Sequence, residues 1–184
     1  PTYYFRGNVE NNYVTFAGFT WRIVRINEDG TVRLIMQDGI NNNQTYYFNY
    51  PASNYYYTDS NQAKNIVDEW YNTNISINLD YSNNVVIGNY CEQAKVKRVS
   101  NWTSGNANMT LYSSYTPDFK CNSDGNGKGV VNANVGLLTY DEVVYAGGYF
   151  DQNNSNNYLY NGNSNNSFYT MSPSGSDGTS SFLW

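Results

Sequence analysis

Tyr13-Val14-Thr15-Phe16-Ala17, then Trp21-Arg22-Ile23-Val24-Arg25-Ile26, then Asn27-Glu28-Asp29-Gly30 and Thr31-Val32-Arg33-Leu34-Ile35-Met36 decide the fold. The three apolar runs are β-branched and aromatic, the composition of a strand. Asp29-Gly30 between the second and third run is a turn signal, so the pair predicts a hairpin. Arg22, Arg25 and Arg33 are three of the ten cations in the chain. They offer a site for an acidic ligand. The plainer reading, which we favour, puts them on a solvated face, paired with Glu28 or Asp29.

Working outward, Ala63, Ile66, Val67, Trp70 and Tyr71 recur at helical spacing. They predict a helix over residues 60–73, with Asp59 or Ser60 as N-cap and Trp70 as a core anchor. Thr139 and Glu142 have the spacing of a capping box, so a second short helix runs to about Ala146 and stops at Gly147-Gly148. Glu142 then has a structural task, and Asp141 favours the helix N-terminus. Residues 84–88 read as a short strand, as do the apolar runs at 168–173 and 180–184. The fold class is α+β, built from antiparallel hairpins, two short helices and long loops.

Those loops hold an unusual alphabet. The 184 residues include 32 Asn, 20 Tyr and no His, with 14% charged residues and a net charge of −5. Low charge with much Asn borders on disorder, but 17% aromatic content argues for a packed core. An acidic chain without a basic stripe is a poor nucleic-acid partner. No apolar run approaches the ~18 residues of a membrane-spanning helix, so direct membrane insertion is not expected. The first residue is Pro1, not Met, which reads as a piece of a longer chain.

Cys91 and Cys121, 30 positions apart, read as one disulfide of an exported protein or as two separate buried thiols; pairing is favoured. The six N-x-S/T sequons carry no weight, since this composition yields about five by chance. Asn122-Ser123-Asp124-Gly125-Asn126-Gly127 spaces oxygens as a calcium loop does, with Asn122, Asp124 and Asn126 as ligands. Ala133 stands where the bidentate Glu belongs, and turn composition alone explains the string. We therefore expect no cofactor and no metal.

Three stretches carry a family resemblance. Asn12-Tyr13-Val14-Thr15-Phe16-Ala17-Gly18 leading to Trp21-Arg22-Ile23-Val24-Arg25-Ile26-Asn27 resembles the opening of a domain family in Gram-positive bacterial exported proteins. Val135-Gly136-Leu137-Leu138-Thr139-Tyr140-Asp141-Glu142-Val143 with Ala146-Gly147-Gly148 resembles its second signature. Phe168-Tyr169-Thr170-Met171-Ser172-Pro173-Ser174 resembles its third. The resemblance implies a C-type-lectin-like domain, related to the formylglycine-generating fold, over residues 1–184. It implies a bacterial surface protein, in some members behind a pilin-like helix. The family continues past the position of Trp184, so the last strand is expected to be missing here.

Function follows from what the chain has and lacks. A Ser or Cys nucleophile needs a base, and there is no His to serve. Tyr with Ser, Gly and Asn is the alphabet of adaptable binding loops. It fills 41–58 and 151–167, which makes Tyr46, Tyr47, Tyr50, Tyr55, Tyr56, Tyr57, Asn154, Asn157, Tyr158 and Tyr160 the candidate ligand-binding residues. An AT-rich genome also inflates Asn and Tyr without selection for binding. The expected function is a non-enzymatic extracellular adhesin or binding module for a host or microbial surface glycan or protein. A structural subunit that self-associates into a pilus-like filament is the first alternative, and an extracellular hydrolase the second.

Overall fold

The computed structural model describes residues 1–40, 63–91, 117, 119, 121, 130–148 and 156–159. Its organising element is an eight-residue strand. The strands are β1 (Tyr3–Tyr4), β2 (Tyr13–Phe16), β3 (Phe19–Ile26), β4 (Val32–Met36), β5 (Gly88–Cys91) and β6 (Val130–Ala133). The helices are α1 (Ala63–Tyr71), α2 (Leu79–Ser82) and α3 (Tyr140–Tyr145). β3 pairs antiparallel with β4 along one edge, and with β2 and then β1 along the other. β5 and β6 form a separate antiparallel pair. The architecture is therefore α+β, with antiparallel strands and a few short helices.

The expected hairpin is present. Asn27 N–H donates to the Thr31 carbonyl, and Gly30 takes φ +83°, the left-handed conformation that closes a three-residue turn. Glu28 and Asp29 stay exposed in this turn and take no arginine. The Thr31 hydroxyl and amide hold the Asp29 carboxyl below its ordinary range.

A register shift between Ile23 and Arg25 places Val24 as an extra residue in β3. Such a bulge re-aims the side chains that follow it. Phe19, Trp21 and Ile23 lie on one face with Phe16, Leu34 and Met36 opposite them in register. Beyond the bulge Arg25 joins Val24 on the other face, where α3 packs. Val24 is fully buried among Leu138, Val143, Ala146, Tyr158 and Leu159. Burying a side chain of this kind contributes about 1.5–3 kcal/mol.

Six residues cannot sustain an isolated helix, so α3 depends on its ends. Thr139 and Glu142 form the predicted capping box. Leu138 and Val143, at the two positions of a hydrophobic staple, share the buried cluster. At the other end Gly147 N–H donates to Val144 and Gly148 N–H to Val143, with Gly147 at φ +102°. This is the double bond of a Schellman motif. The two remaining carbonyls are met from far away. Arg6 Nη1 donates to Tyr145 at 2.6 Å, and Gly7 N–H donates to Ala146 at 2.8 Å. Every terminal carbonyl of α3 thus has a donor.

Four sequence expectations need correction. The described residues hold three α-helices rather than two. The missed one, α2, has an N-cap at Asn78, whose side chain accepts from Asp80 N–H. Helix α1 passes into a π-helical turn at Asn72–Ser76, where Thr73 and Asn74 bond back to the Glu69 and Trp70 carbonyls. The strand expected at 84–88 begins only at Gly88, because β6 reaches no further than Ala133; Val86 and Ile87 are exposed. The arginines do not cover a solvated face. Arg22 is buried, donating to Gln37, Val9 and Asn12, and its guanidinium lies 3.7 Å from the centre of the Tyr13 ring. The runs 168–173 and 180–184 lie outside the described residues.

Arg25 and Arg33 instead meet Glu142. Both Nη1 atoms reach its Oε1, at 3.1 and 2.9 Å, while Oε2 accepts the Thr139 amide. Glu142 is only 2% exposed. Removing a buried carboxylate strands both cations, which costs about 3–5 kcal/mol. Glu142→Ala should lower the denaturation free energy by about that amount. Thr139→Ala, which removes a cap alone, should cost only about 1 kcal/mol. Guanidinium melts of the two variants measure the difference, and equal midpoints would show that the ion pairs contribute nothing.

Candidate functional site

Helices α1 and α2 face the aromatic side of the sheet. Trp70 makes edge-to-face contacts with Phe19 and Trp21, with ring centres 5.1 and 6.1 Å apart. Tyr81 meets Phe16 at 5.9 Å. Trp70 thus anchors α1 as expected, but it is only half-buried, because it also forms a wall of a wide cleft. The cleft has a volume of about 1620 Å³, above the ~300–1,000 Å³ of a small-molecule site. Its lining includes Phe16, Trp21, Trp70 and Tyr81, with Ile40 and Ile66, and also the charged Arg25 and Glu28.

Ile40 and Ile66 flank the Tyr-rich stretch in sequence. The chain leaves the described structure after Ile40 and re-enters at Ala63. The intervening sequence holds Tyr46, Tyr47, Tyr50, Tyr55, Tyr56 and Tyr57, which lie outside the described residues. Ile40, the last described residue before that stretch, lines the cleft, and so does Ile66, near the start of α1 after it. Asn154, Tyr160 and the calcium candidates Asn122, Asp124 and Asn126 also lie outside the described residues. Ala133, in the twelfth position of that candidate loop, sits in β6 opposite Gly88. Among the described residues no group of three or more His, Cys, Asp or Glu is placed to hold a metal ion. No described helix is long and apolar enough to cross a membrane.

Asn157 and Tyr158 require a correction. They were expected in a contact loop but are 4% and 3% exposed. Asn157 Oδ1 accepts the Leu159 amide, a short-range bond that shapes a turn. Tyr158 N–H donates to the Gly7 carbonyl, and its ring joins the Val24 cluster. The core recruits this tyrosine from a polar stretch because Leu159 follows it, and the two together close the side of α3.

The disulfide is formed: Cys91 and Cys121 are bonded, with Cα atoms 5.0 Å apart. It ties the end of β5 to the segment that carries Phe119. Phe119 sits at φ +55°, unusual for a bulky residue, and its amide donates to Asp141 Oδ2 at 2.8 Å. Its ring meets Tyr4 and Tyr145 at 5.1 and 5.3 Å. Tyr4 and Tyr145 are themselves 4.8 Å apart, so the three rings form a closed triangle. Composition alone does not single out this group. The one available signal is the aromatic run Tyr3-Tyr4-Phe5 beside Arg6 at the start of the chain.

Comparison with protein-family models, with curated proteins and with solved structures finds no match to this chain. Its chemistry must be read from its own residues.

Two buried polar atoms among the described residues lack a hydrogen-bond partner, Arg25 Nε and Tyr158 Oη. Burial pushes the Tyr158 phenol far above its ordinary value, and the Glu142 carboxylate adds to the shift. Burial also raises Tyr90, partly offset by Arg33. A raised phenol is protonated in the folded state at a pH where the unfolded chain has already lost its proton. The stability it supports is full below the ordinary value of 10.0 and falls as pH rises above it. Tyr158→Phe removes an unsatisfied buried hydroxyl. Stability at neutral pH should stay level or rise by about 1 kcal/mol, and the alkaline transition should move to higher pH. Tyrosinate absorbance followed with circular dichroism along a base titration reads both. A loss of several kcal/mol at neutral pH would mean the hydroxyl has a partner after all.

Proposed function

We propose that this chain is a non-enzymatic binding module of a bacterial cell surface, with a C-type-lectin-like domain as its scaffold. Its contact surface is the Tyr-rich segment 41–58 together with the aromatic cleft. The observation that carries the reading is that Ile40 and Ile66, which flank that segment in sequence, both line the cleft walled by Trp21, Trp70 and Tyr81. Tyrosines supply amphipathic contact area at low entropic cost, and the surrounding Asn and Ser supply adaptable hydrogen bonds. A wide, aromatic-lined opening suits a glycan or protein surface better than a small metabolite.

Three further observations support the extracellular, non-enzymatic and family parts of the reading. The Cys91–Cys121 bridge fits an oxidising compartment. The absence of His leaves a nucleophile without its commonest base. The two described stretches that carry the family resemblance are joined to each other by Arg25 and Glu142, as a structural signature would require.

Replacing Tyr46, Tyr47, Tyr55, Tyr56 and Tyr57 by Ala tests the module. Binding to host-surface preparations and glycan arrays should fall at least about tenfold, while thermal stability stays within about 0.5 kcal/mol per site. Unchanged binding signals would end the proposal.

A filament subunit is the second reading, and one observation favours it. Ile77, Leu79, Val86 and Ile87 are 77%, 71%, 56% and 69% exposed, an unusual display of aliphatic surface close together in sequence. Electron microscopy and sedimentation that find only monomers at high concentration would exclude it.

A further inference from the structure

The side of the sheet that packs on α3 carries a charge pattern at odds with the rest of the chain. Arg6, Arg22, Arg25 and Arg33 are all gathered around it. The carboxylates there are Asp141 and Glu142, both buried and both engaged. Four arginines against two acids leave two positive charges locally, on a chain whose net charge is −5. Glu142 is committed to Arg25 and Arg33. Arg22 is buried among neutral acceptors. Arg6 is different. It is exposed, it bonds the Val144 and Tyr145 carbonyls through Nη1, and no carboxylate pairs with it among the described residues.

Beside Arg6 stands the aromatic triangle. The Arg6 guanidinium carbon lies 6.0 Å from the centre of the Tyr145 ring. Tyr145 is 40% and Phe119 38% exposed. The rings are held rigidly. Tyr4 is fixed by its strand and by Arg25, which donates to its hydroxyl at 3.0 Å. Phe119 is fixed by Asp141 in a conformation that costs about 1–3 kcal/mol. An exposed aromatic ring held in place against backbone strain is poorly explained by packing alone.

We propose that Tyr145, Phe119 and Arg6 form a second contact surface, which takes a saccharide bearing a carboxylate. A pyranose ring offers a flat C–H face to stack on an exposed aromatic ring. Its carboxylate, fixed to that ring, spans the short distance to the free donors of Arg6, which suit bidentate pairing. An acidic peptide would bring its carboxylate on a flexible side chain and lose more entropy on docking. This surface has none of the residues that line the aromatic cleft. It stands apart from the aromatic cleft, so it goes beyond the binding role proposed there and does not depend on it.

The test titrates the purified chain with oligogalacturonates and sialylated oligosaccharides, and with the same sugars after chemical reduction of their carboxylates. The acidic sugars should bind, and their reduced forms should bind at least about tenfold more weakly. Raising the salt from about 0.05 to about 0.5 M should weaken the acidic sugars alone. Arg6→Gln and Tyr145→Ala should each weaken binding by a similar factor. Arg6 also supports the end of α3, so circular dichroism must show each variant folded. The comparison of acidic with reduced sugars needs no variant. The proposal is overturned if none of the acidic sugars binds, if the reduced sugars bind equally, if a polyglutamate peptide binds as tightly, or if the folded variants match the parent. Loss of acidic-sugar binding in the five-tyrosine variant, with Arg6→Gln and Tyr145→Ala binding as the parent does, would likewise overturn it and assign the binding to the first surface.

Discussion

Glu142 is the point on which the described structure turns. One carboxylate closes the capping box of α3, and the same carboxylate binds an arginine from each arm of the β3–β4 hairpin. Arg25 and Arg33 face one another across the strands. Like charges in that position repel, so an anion between them is needed for the hairpin to lie against the helix. Both carboxylate oxygens are occupied, which is the condition under which a buried charge becomes tolerable. The bulge at Val24 belongs to the same arrangement. Without the extra residue, Arg25 would point to the tryptophan side of the sheet.

Much of this frame was legible in the sequence. The hairpin, the capping box and the pair of terminating glycines rest on local signals with a fixed spacing, and the disulfide on there being just two cysteines to pair. Helix α2 had a readable signal too, in Asn78 followed by Asp80. The partners of the arginines were not legible. Arg25 and Glu142 lie more than a hundred residues apart, and nothing local distinguishes a cation awaiting a distant acid from one beside Asp29. The same holds for Tyr158. Set among asparagines, it reads as a loop residue, and only the position of Gly7 and α3 makes it a core residue.

Composition therefore misleads in two directions. The Asn- and Tyr-rich stretches look uniform, yet Asn157 and Tyr158 are spent on the interior. Asn12 is a stronger case. It is 1% exposed, donates to the Ile23 carbonyl and accepts from Arg22. An asparagine in the core works here because each of its groups is satisfied.

The ends of α3 have a consequence for the order in which the chain takes shape. The helix is closed by Arg6 and Gly7 at one end and tied to Arg25 and Arg33 at the other, and these four partners all lie in the first forty residues, while Phe119 and Tyr158 meet it from later in the chain. During synthesis the hairpin emerges with two facing arginines and no acid to separate them. It must wait for about a hundred further residues before Glu142 exists. Contacts of such long range are slow to form, because the loop must close before any of them stabilises the chain. The frame is therefore completed late and from both directions at once, and a nascent chain stopped before α3 would have a hairpin without the element that neutralises it.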